Sequence, residues 1–364
     1  MRVLFLCEGT TVPASRFRVG QFIPHLEEAG VECEVRYAYD WRYNDLSRTR
    51  FGPAYKALWR LKRVPFAADA DEFDIIFVQR PAIPQSSLPE RLLASINPNI
   101  VFDFDDSIFL APGGVVSDRR ERAMHDIIAL SRRVIAGNRY LAHVALAPEK
   151  TTVIPTVIDT ERYVPPAERE DSGELVIGWM GTEGNFPFLE QVVEPVNRAL
   201  DRLPNAKVRI VSNADFAPWL GDDRVEQIRW SVANELPLLQ SFDIGLMPLE
   251  EGPLTRGKCS FKMIQYMAVG CPVVVSAVGA NVEVFEGSRS GHCVLSFDEF
   301  EDAIVALGTS REARDAAGRA GRAHVERSYS IAAVLPRYLE VFEKMLERAR
   351  DRSLETGSQR VVVV

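Results

Sequence analysis

The stretch from Ser241 to Val284, SFDIGLMPLEEGPLTRGKCSFKMIQYMAVGCPVVVSAVGANVEV, decides the fold because strand and helix patterns alternate in it around one polar loop. Short apolar runs at Ile244–Met247 and Val273–Ser276 predict buried parallel strands, and the pattern over Phe261–Val269 predicts a helix between them. The segment before this helix is rich in Gly, Thr, Arg and Lys. The sequence therefore predicts a strand whose polar loop opens directly into a helix N-terminus.

This loop and helix start are suited to a diphosphate. A helix N-terminus offers backbone N–H groups and partial positive charge to an anion. Lys258 and Lys262 are four residues apart on one predicted helix face and add positive charge. Gln265 lies on the same face, where its amide can hydrogen-bond a ribose. A second reading stays open, in which both lysines are solvated and the helix only packs.

The alternation of strands and helices continues on both sides of this stretch, which predicts an α/β protein with two doubly wound parallel-sheet domains. Ligands bind such sheets outside the carboxyl ends of the strands, so a cleft between the domains is the expected site. The predicted division is a first domain over 1–165, a charged, proline-containing linker over 166–174, a second domain over 175–330, a C-terminal helix over 331–350 that crosses back to the first domain, and a disordered tail over 351–364.

Composition excludes several classes of protein. The 364 residues suggest two domains, and 46% hydrophobic with 26% charged residues is typical of a soluble globular chain. No apolar run is long enough for a transmembrane helix, and the N-terminal run is too short for a signal peptide, so we expect a cytoplasmic protein. A net charge of −8 disfavours binding to nucleic acid.

Cysteine and histidine patterns predict no metal site. The five cysteines form no C-x-x-C pair, and the five histidines lack the paired spacing of zinc ligands. We therefore expect reduced thiols and no metal.

The segment QYMAVGCPVVVSAVGANVEV resembles the donor-site signature of family 4 glycosyltransferases (glycosyl transferases group 1), in which E-A-M-A-x-G-x-P-V-V precedes V-G-G-x-x-E. The resemblance implies the GT-B architecture, with two Rossmann-like domains facing a central cleft, and a mostly retaining, metal-independent transfer that uses a nucleoside-diphosphate sugar as substrate and no cofactor. The donor-binding residues that it implies are Gly181, Thr182, Lys258, Phe261, Lys262, Gln265, Asn281 and Glu283.

The chain departs from the family's pattern in two regions. The family usually has two glutamates eight positions apart, where this chain has Gly257 and Gln265. The first of them normally touches the sugar, so the resemblance does not predict which sugar is used. The glycine-rich loop after the first strand of the second domain often carries an Arg and a Lys, and here Thr182 and Asn185 stand near those places.

The first strand-to-helix loop, EGTTVPASRFR at Glu8–Arg18, is expected on the acceptor side. Arg16 and Arg18 are predicted to hold a phosphate or carboxylate of the acceptor. The alternative is surface charge at the start of a helix.

The strand VFDFDD at Val101–Asp106 ends in acids, which are costly there unless they are paired or functional. Asp105 stands where related chains carry a histidine near the reacting sugar. We hypothesise that Asp105 or Asp106 is catalytic, by contacting the acceptor hydroxyl or stabilising positive charge on the sugar ring. Two other readings are a D-x-D site for Mn²⁺ or Mg²⁺ and an N-cap of the next helix.

Residues 41–63 interleave basic and aromatic side chains. They predict either a peripheral contact with anionic lipid on the inner membrane face or an ordinary amphipathic helix packed on the core.

The function predicted from all these features is a retaining glycosyltransferase that moves a sugar to a glycan or lipid-linked acceptor in surface polysaccharide or glycolipid synthesis. Alternatives are a catalytically inactive nucleotide-sugar-binding protein and a sugar-nucleotide epimerase or phosphorylase of the same fold.

Overall fold

The computed structural model describes residues 1–39, 52, 69–167 and 173–358. The chain divides into two compact units. The first comprises Met1–Thr156 together with the chain from Val334 onward, and the second comprises Val157–Ala333. Residues 41–63, for which a membrane contact was predicted, lie outside the described residues except for Gly52, and the predicted linker 166–174 lies partly outside them.

The first unit is built on a parallel sheet. Its strands, with a short antiparallel hairpin formed by the fifth and sixth, are β1 (Arg2–Gly9), β2 (Glu32–Tyr39), β3 (Ile75–Gln79), β4 (Ile100–Phe104), β5 (Leu110–Ala111), β6 (Val115–Val116), β7 (Arg133–Ala136) and β8 (Thr151–Val153). Among the residues that the structure describes, its helices include α1 (Pro13–Arg18), α2 (Ile23–Glu28), α3 (Leu88–Ile96), α4 (Asp118–Leu130) and α5 (Arg139–Val144). The strand order across the sheet is β2-β1-β3-β4-β7-β8.

The second unit repeats this design. Its strands are β9 (Leu175–Met180), β10 (Ala206–Ser212), β11 (Val225–Arg229), β12 (Ile244–Met247), β13 (Val273–Ser276) and β14 (Gly291–Val294). Its helices are α6 (Phe186–Glu190), α7 (Val193–Arg202), α8 (Glu235–Gln240), α9 (Pro253–Arg256), α10 (Phe261–Ala268), α11 (Ala280–Phe285), α12 (Glu299–Gly308) and α13 (Arg311–Ser328). The order β11-β10-β9-β12-β13-β14 is the doubly wound arrangement of nucleotide-binding sheets.

The described strands of both sheets pair in parallel, and the central ones are buried on both faces. This explains why they read as continuous apolar runs rather than as alternating patterns. The predicted α/β class with two doubly wound parallel-sheet domains is confirmed.

The last helix, α14 (Ile331–Ser358), packs on the first unit. Phe342 lies with its ring centroid 6.3 Å from that of Phe5 and 6.2 Å from that of Phe77. Pro336 lies inside α14 without ending it. The helix runs beyond Asp351, where the sequence analysis placed the start of a disordered tail. The sequence pattern predicts one helix over 188–203, whereas the structure has two helices there, α6 and α7. Among the described residues, no helix has both the length and the apolar character that crossing a bilayer requires.

Candidate functional site

In the second unit the strand order reverses between β9 and β12, because the chain proceeds from β9 to β10 on one side and later to β12 on the other. Doubly wound sheets bind ligands outside the carboxyl ends of the strands at such a point. Helix α10 is fixed there, since the hydroxyl of Tyr266 accepts the N–H of Met180, the last residue of β9, at 2.9 Å. A Cβ on Gly245 would lie 2.5 Å from the Tyr266 ring, so this close approach requires glycine.

Lys262, in the first turn of α10, lies directly against Gly181. A Cβ on Gly181 would be 2.6 Å from the Lys262 Cε and 2.8 Å from the Trp179 ring, so a larger residue would displace the lysine. The Lys262 ammonium is 5.4 Å from the centroid of the Trp179 ring. Burial, with repulsion from Lys258 as a second cause, lowers the pKa of Lys262 to about 7. A bound anion would therefore favour protonation of this amine.

Lys258 joins the same edge of the sheet. Its Nζ donates to the Asn185 Oδ1 at 3.1 Å and lies 5.7 Å from the centroid of the Phe188 ring. The Asn185 Nδ2 in turn donates to the Thr182 Oγ1 at 3.1 Å. The structure thus brings the predicted residues Gly181, Thr182, Lys258 and Lys262 together after β9 and at the start of α10.

Asn281 has a different place from the one predicted. The Ser260 Oγ donates to the Asn281 Oδ1 at 2.7 Å, and the Asn281 Nδ2 donates to the Ser276 carbonyl at 3.0 Å. The side chain is fully buried. Asn281 therefore ties the start of α10 to the end of β13, and both the oxygen and the nitrogen of its amide are engaged within the protein. Ser260 itself has a left-handed backbone, with φ of 52°.

Three further predicted donor residues lie on α10 and α11. Phe261 begins α10 and is half-buried, whereas Gln265, one turn later, is buried. Glu283 is half-buried in the first turn of α11. Their contacts with a donor stay predictions.

Asn213, which follows β10, was not predicted as a site residue. Its Oδ1 accepts the N–H of Glu183 at 2.8 Å and the Ser212 hydroxyl at 3.2 Å. Its Nδ2 is buried and has no hydrogen-bond partner within the described ranges. Because buried donors are nearly always paired, this nitrogen is a candidate donor to a ligand oxygen. Its signal in the sequence is a polar side chain directly after a parallel strand.

The first unit has its own reversal of strand order, between β1 and β3. Glu8 lies near the end of β1, Arg80 follows β3, and Asp105 and Asp106 follow β4. The Arg80 Nη2 is 2.7 Å from the Asp105 Oδ1 and 3.8 Å from the Asp106 Oδ2, and its Nη1 is 3.4 Å from the Glu8 Oε2. We call these four residues the Arg80 cluster.

Arg80 is held in an uncommon conformation. Its φ of 61° is left-handed, which costs a non-glycine residue about 1–2 kcal/mol. Its N–H donates to the Asp103 carbonyl at 2.8 Å, which anchors the turn. Burial by itself would lower the pKa of Arg80, but the charge of Asp105, followed by that of Glu8, raises it well above its ordinary value. The cluster therefore sets three carboxylates around one permanent cation.

Glu8 and Arg80 were not predicted as site residues. Their signal was a charged side chain at the end of an apolar strand, which the sequence analysis used only for Asp105 and Asp106. Since carboxylates outnumber the guanidinium in the cluster, it is suited to hydroxyl groups or developing positive charge and unsuited to an anion.

The expectation that Arg18 binds an acceptor anion is corrected by its burial. Arg18 is 1% exposed, and its Nε donates to the Asp103 Oδ2 at 2.8 Å. Its Nη1 donates to the Ile154 carbonyl at 3.1 Å and the Thr156 hydroxyl at 3.2 Å. Arg18 is thus an interior ion-pair residue. Arg16 is half-exposed, with its guanidinium 4.7 Å from the centroid of the Phe17 ring.

The ion pair between Arg18 and Asp103 argues against a D-x-D metal site formed by Asp103 and Asp105 at the end of β4. Asp103 is buried against Arg18, so it does not share a surface site with Asp105. Within the part of the chain that the structure describes, no group of three His, Cys, Asp or Glu side chains is arranged to hold a metal ion.

The chain resembles known proteins in two ways, by a sequence match over part of its length and by a structural likeness over nearly all of it. Residues 190–340 match a family model described as glycosyl transferase-like. No curated protein shows significant sequence similarity to the chain. Anabaena HepE in complex with UDP-glucose superposes with a TM-score of 0.67 at 16% identity, covering 96% of this chain and 100% of its own. Sucrose-phosphate synthase from Thermosynechococcus elongatus gives 0.66 at 12% identity, covering 96% and 100%.

A glycosyltransferase from Rickettsia africae gives a TM-score of 0.66 at 13% identity, covering 95% of this chain and 98% of its own. At such identities the structural likeness establishes the fold, and the family match adds a similarity in sequence to glycosyl transferases over residues 190–340. The resemblance drawn from the sequence is confirmed, because a glycosyl transferase-like family model matches residues 190–340 and glycosyltransferases of the GT-B fold share the architecture of this chain.

Proposed function

We propose that this chain transfers a sugar, with retention of anomeric configuration, from a nucleoside-diphosphate sugar held by its second unit to a hydroxyl group held by its first. The observation that carries the proposal is the convergence of Lys258, Lys262 and the N-terminus of α10 at the reversal point of the second sheet. These groups suit a diphosphate because each of them adds positive charge at one strand end.

The lysines and the helix N-terminus also stabilise the leaving group, which is the nucleoside diphosphate. When the bond between the sugar and the diphosphate breaks, negative charge grows on the diphosphate oxygens. Cationic groups fixed beforehand in a partly buried site stabilise that charge. We therefore propose that the reaction requires no metal and no cofactor beyond the donor itself. Retention follows if an oxygen of the donor phosphate helps to deprotonate the incoming hydroxyl on the same face of the sugar.

The acceptor is assigned to the Arg80 cluster. Asp105, oriented by Arg80, accepts a hydrogen bond from the acceptor hydroxyl or stabilises positive charge on the sugar ring. Asp106 stands beside it with a more exposed carboxylate. The acceptor class that we propose is a glycan or a lipid-linked sugar, used on the cytoplasmic side of a membrane in surface polysaccharide or glycolipid synthesis. Peripheral membrane contact through residues 41–63 belongs to the same proposal.

The first experiment is calorimetric titration of the protein with UDP, GDP and dTDP, each in EDTA and again with Mg²⁺. UDP is the first nucleotide to test, because HepE has been crystallised with it on the same fold. We expect one nucleotide to bind in EDTA, and we expect Lys262→Ala to weaken it at least about tenfold, the loss of one charge-assisted interaction. Absence of binding by every nucleotide would overturn the donor site.

Turnover tests the chemistry separately. Donor and trial acceptors are followed by NMR, where an α-linked donor should yield an α-linked product. A β-linked product would refute retention.

Gly257, which replaces a glutamate of the signature, favours one competing function, a nucleotide-sugar-binding protein without catalysis. Tight donor binding without transfer or hydrolysis would support that competitor.

A further inference from the structure

The hairpin of β5 and β6, residues 110–116, carries exposed apolar side chains. Val115 is 62% exposed and Val116 is 72% exposed. Successive residues of a strand point to opposite faces, so exposure of both means that β6 stands clear of the protein body on both sides. Gly113 and Gly114 make the tight turn at the tip, with φ values of 78° and 79°. The hairpin is therefore a projecting apolar loop.

The hairpin follows β4 in the chain and begins near the carboxyl ends of the strands, where the Arg80 cluster lies. Val116 pairs with Leu110, whose N–H donates to the Ser107 carbonyl at 3.0 Å. The Ser107 N–H donates to the Asp106 Oδ1 at 2.9 Å. Adding the usual Cα spacings of a strand pair, a turn and one peptide puts Val116 within about 16 Å of Asp106. A molecule that touches the hairpin is thus within reach of the Arg80 cluster.

Arginines follow the hairpin at the start of α4. Arg119 and Arg122 are exposed and three residues apart, so they are neighbours on the helix surface. Arg120 binds the base of the hairpin, since its Nη1 donates to the Leu110 carbonyl at 2.9 Å. Asp118 and Glu121 offset part of this charge, and residues 118–122 retain one net positive charge from three arginines and two acids.

We propose that the hairpin 110–116 docks on an anionic lipid bilayer, with Val115 and Val116 in the acyl boundary and Arg119 and Arg122 among the lipid phosphates. The charge complements such a surface, where each nearby arginine strengthens binding about fivefold. Docking itself does not depend on the proposed function. Its consequence does rest on that function, because docking would bring the Arg80 cluster to a lipid-linked acceptor.

The size of the surface favours lipid over a protein partner. A stable protein interface buries about 800 Å² on each side, far more than the exposed side chains of Pro112, Val115 and Val116 offer. A small apolar loop with a few cations instead matches weak, reversible binding to a bilayer, for which apolar insertion and charge attraction act together.

The test is flotation of the full chain with vesicles of phosphatidylcholine and phosphatidylglycerol at a ratio of 3:1. The variant is Val115→Asp with Val116→Asp, whose exposed positions leave folding intact. The matched control is Leu220→Asp with Leu295→Asp, at positions that are 63% and 88% exposed in the second unit and that add the same charge. We expect the hairpin variant to lose binding roughly tenfold to hundredfold, and the control to stay within about twofold.

Three outcomes of the vesicle assay would overturn the proposal. They are absence of wild-type binding, equal losses in the two variants, and wild-type-like binding by the hairpin variant. Hairpin-dependent self-association in place of vesicle binding would also overturn it, because the surface would then belong to a protein contact. Nucleotide titration of the same variants separates this inference from the proposed function, because vesicle binding requires no donor.

Discussion

Donor binding should weaken as the pH rises through neutrality, because the role proposed for Lys262, binding of a diphosphate, requires the protonated amine. In the free protein, burial and the nearby Lys258 lower the pKa of Lys262 to about 7. A bound diphosphate favours the charged form and raises that pKa again. Binding therefore takes up a proton, and by linkage the affinity must fall as protons become scarce.

The size of the effect follows from that pKa of about 7. Lys262 is about 90% protonated at pH 6 and about 3% protonated at pH 8.5. If Lys262 stays protonated in the complex over this range, the apparent dissociation constant rises about 30-fold from pH 6 to pH 8.5. This rise corresponds to a loss of about 2 kcal/mol of binding free energy. Proton uptake on binding should be about half a proton at pH 7 and close to one at pH 8.5.

The assay is calorimetric titration with a nucleoside-diphosphate sugar, whose diphosphate diester does not titrate in this range. Each pH is measured in two buffers of different ionisation enthalpy, which gives the number of protons taken up. Lys262→Met should bind more weakly at pH 6 and show a flat profile. Lys258→Met should move the midpoint of the profile upward, because it removes a repulsion that lowers the pKa of Lys262. A flat profile for the wild type, or the same slope in Lys262→Met, would refute the reasoning.

Three further changes test other parts of the structure. Gly181→Ala should weaken nucleotide binding about tenfold or more, measured by titration, because its Cβ would lie 2.6 Å from the Lys262 Cε. Arg80→Ala should reduce kcat/KM for transfer at least about a hundredfold and leave nucleotide binding unchanged, because Arg80 orients a carboxylate of the first unit. An equal loss of transfer and of nucleotide binding would contradict this. Arg18→Met should destabilise the protein by about 3–5 kcal/mol in urea unfolding, because it strands a buried carboxylate, and adding Asp103→Leu should restore most of the loss.

The second unit could be predicted well because its signals are local. A strand, a polar loop and a helix follow one another within Ser241–Val284, so the sequence itself shows that Lys258 and Lys262 meet a helix N-terminus. The break between α6 and α7 had a local signal too. Pro195 fits the first turn of a helix, where a missing N–H costs nothing, and it argues against one helix over 188–203.

The errors concern side chains whose partners are distant in sequence. Arg18 precedes its partner Asp103 by 85 residues, so a pattern at the start of α1 shows a charge and not its burial. For Asn281 the sequence likewise did not show that Ser260 and the Ser276 carbonyl engage its amide. The Arg80 cluster depends on three strand ends becoming neighbours in the order β1-β3-β4, which hydrophobic patterns do not encode.

The charges at the two reversal points differ in sign, and this difference supports the proposed assignment of the donor to the second unit and the hydroxyl to the first. The second unit presents two lysines and a helix N-terminus, to which a diphosphate is attracted. The Arg80 cluster presents three carboxylates against one guanidinium, so a diphosphate there would meet like charge within a few ångström, which costs on the order of 1 kcal/mol or more for each pair. A neutral hydroxyl incurs no such cost and gains a carboxylate acceptor. Electrostatics alone would thus direct the donor to the second unit and the hydroxyl to the first, before any contact with the base or the sugar is made.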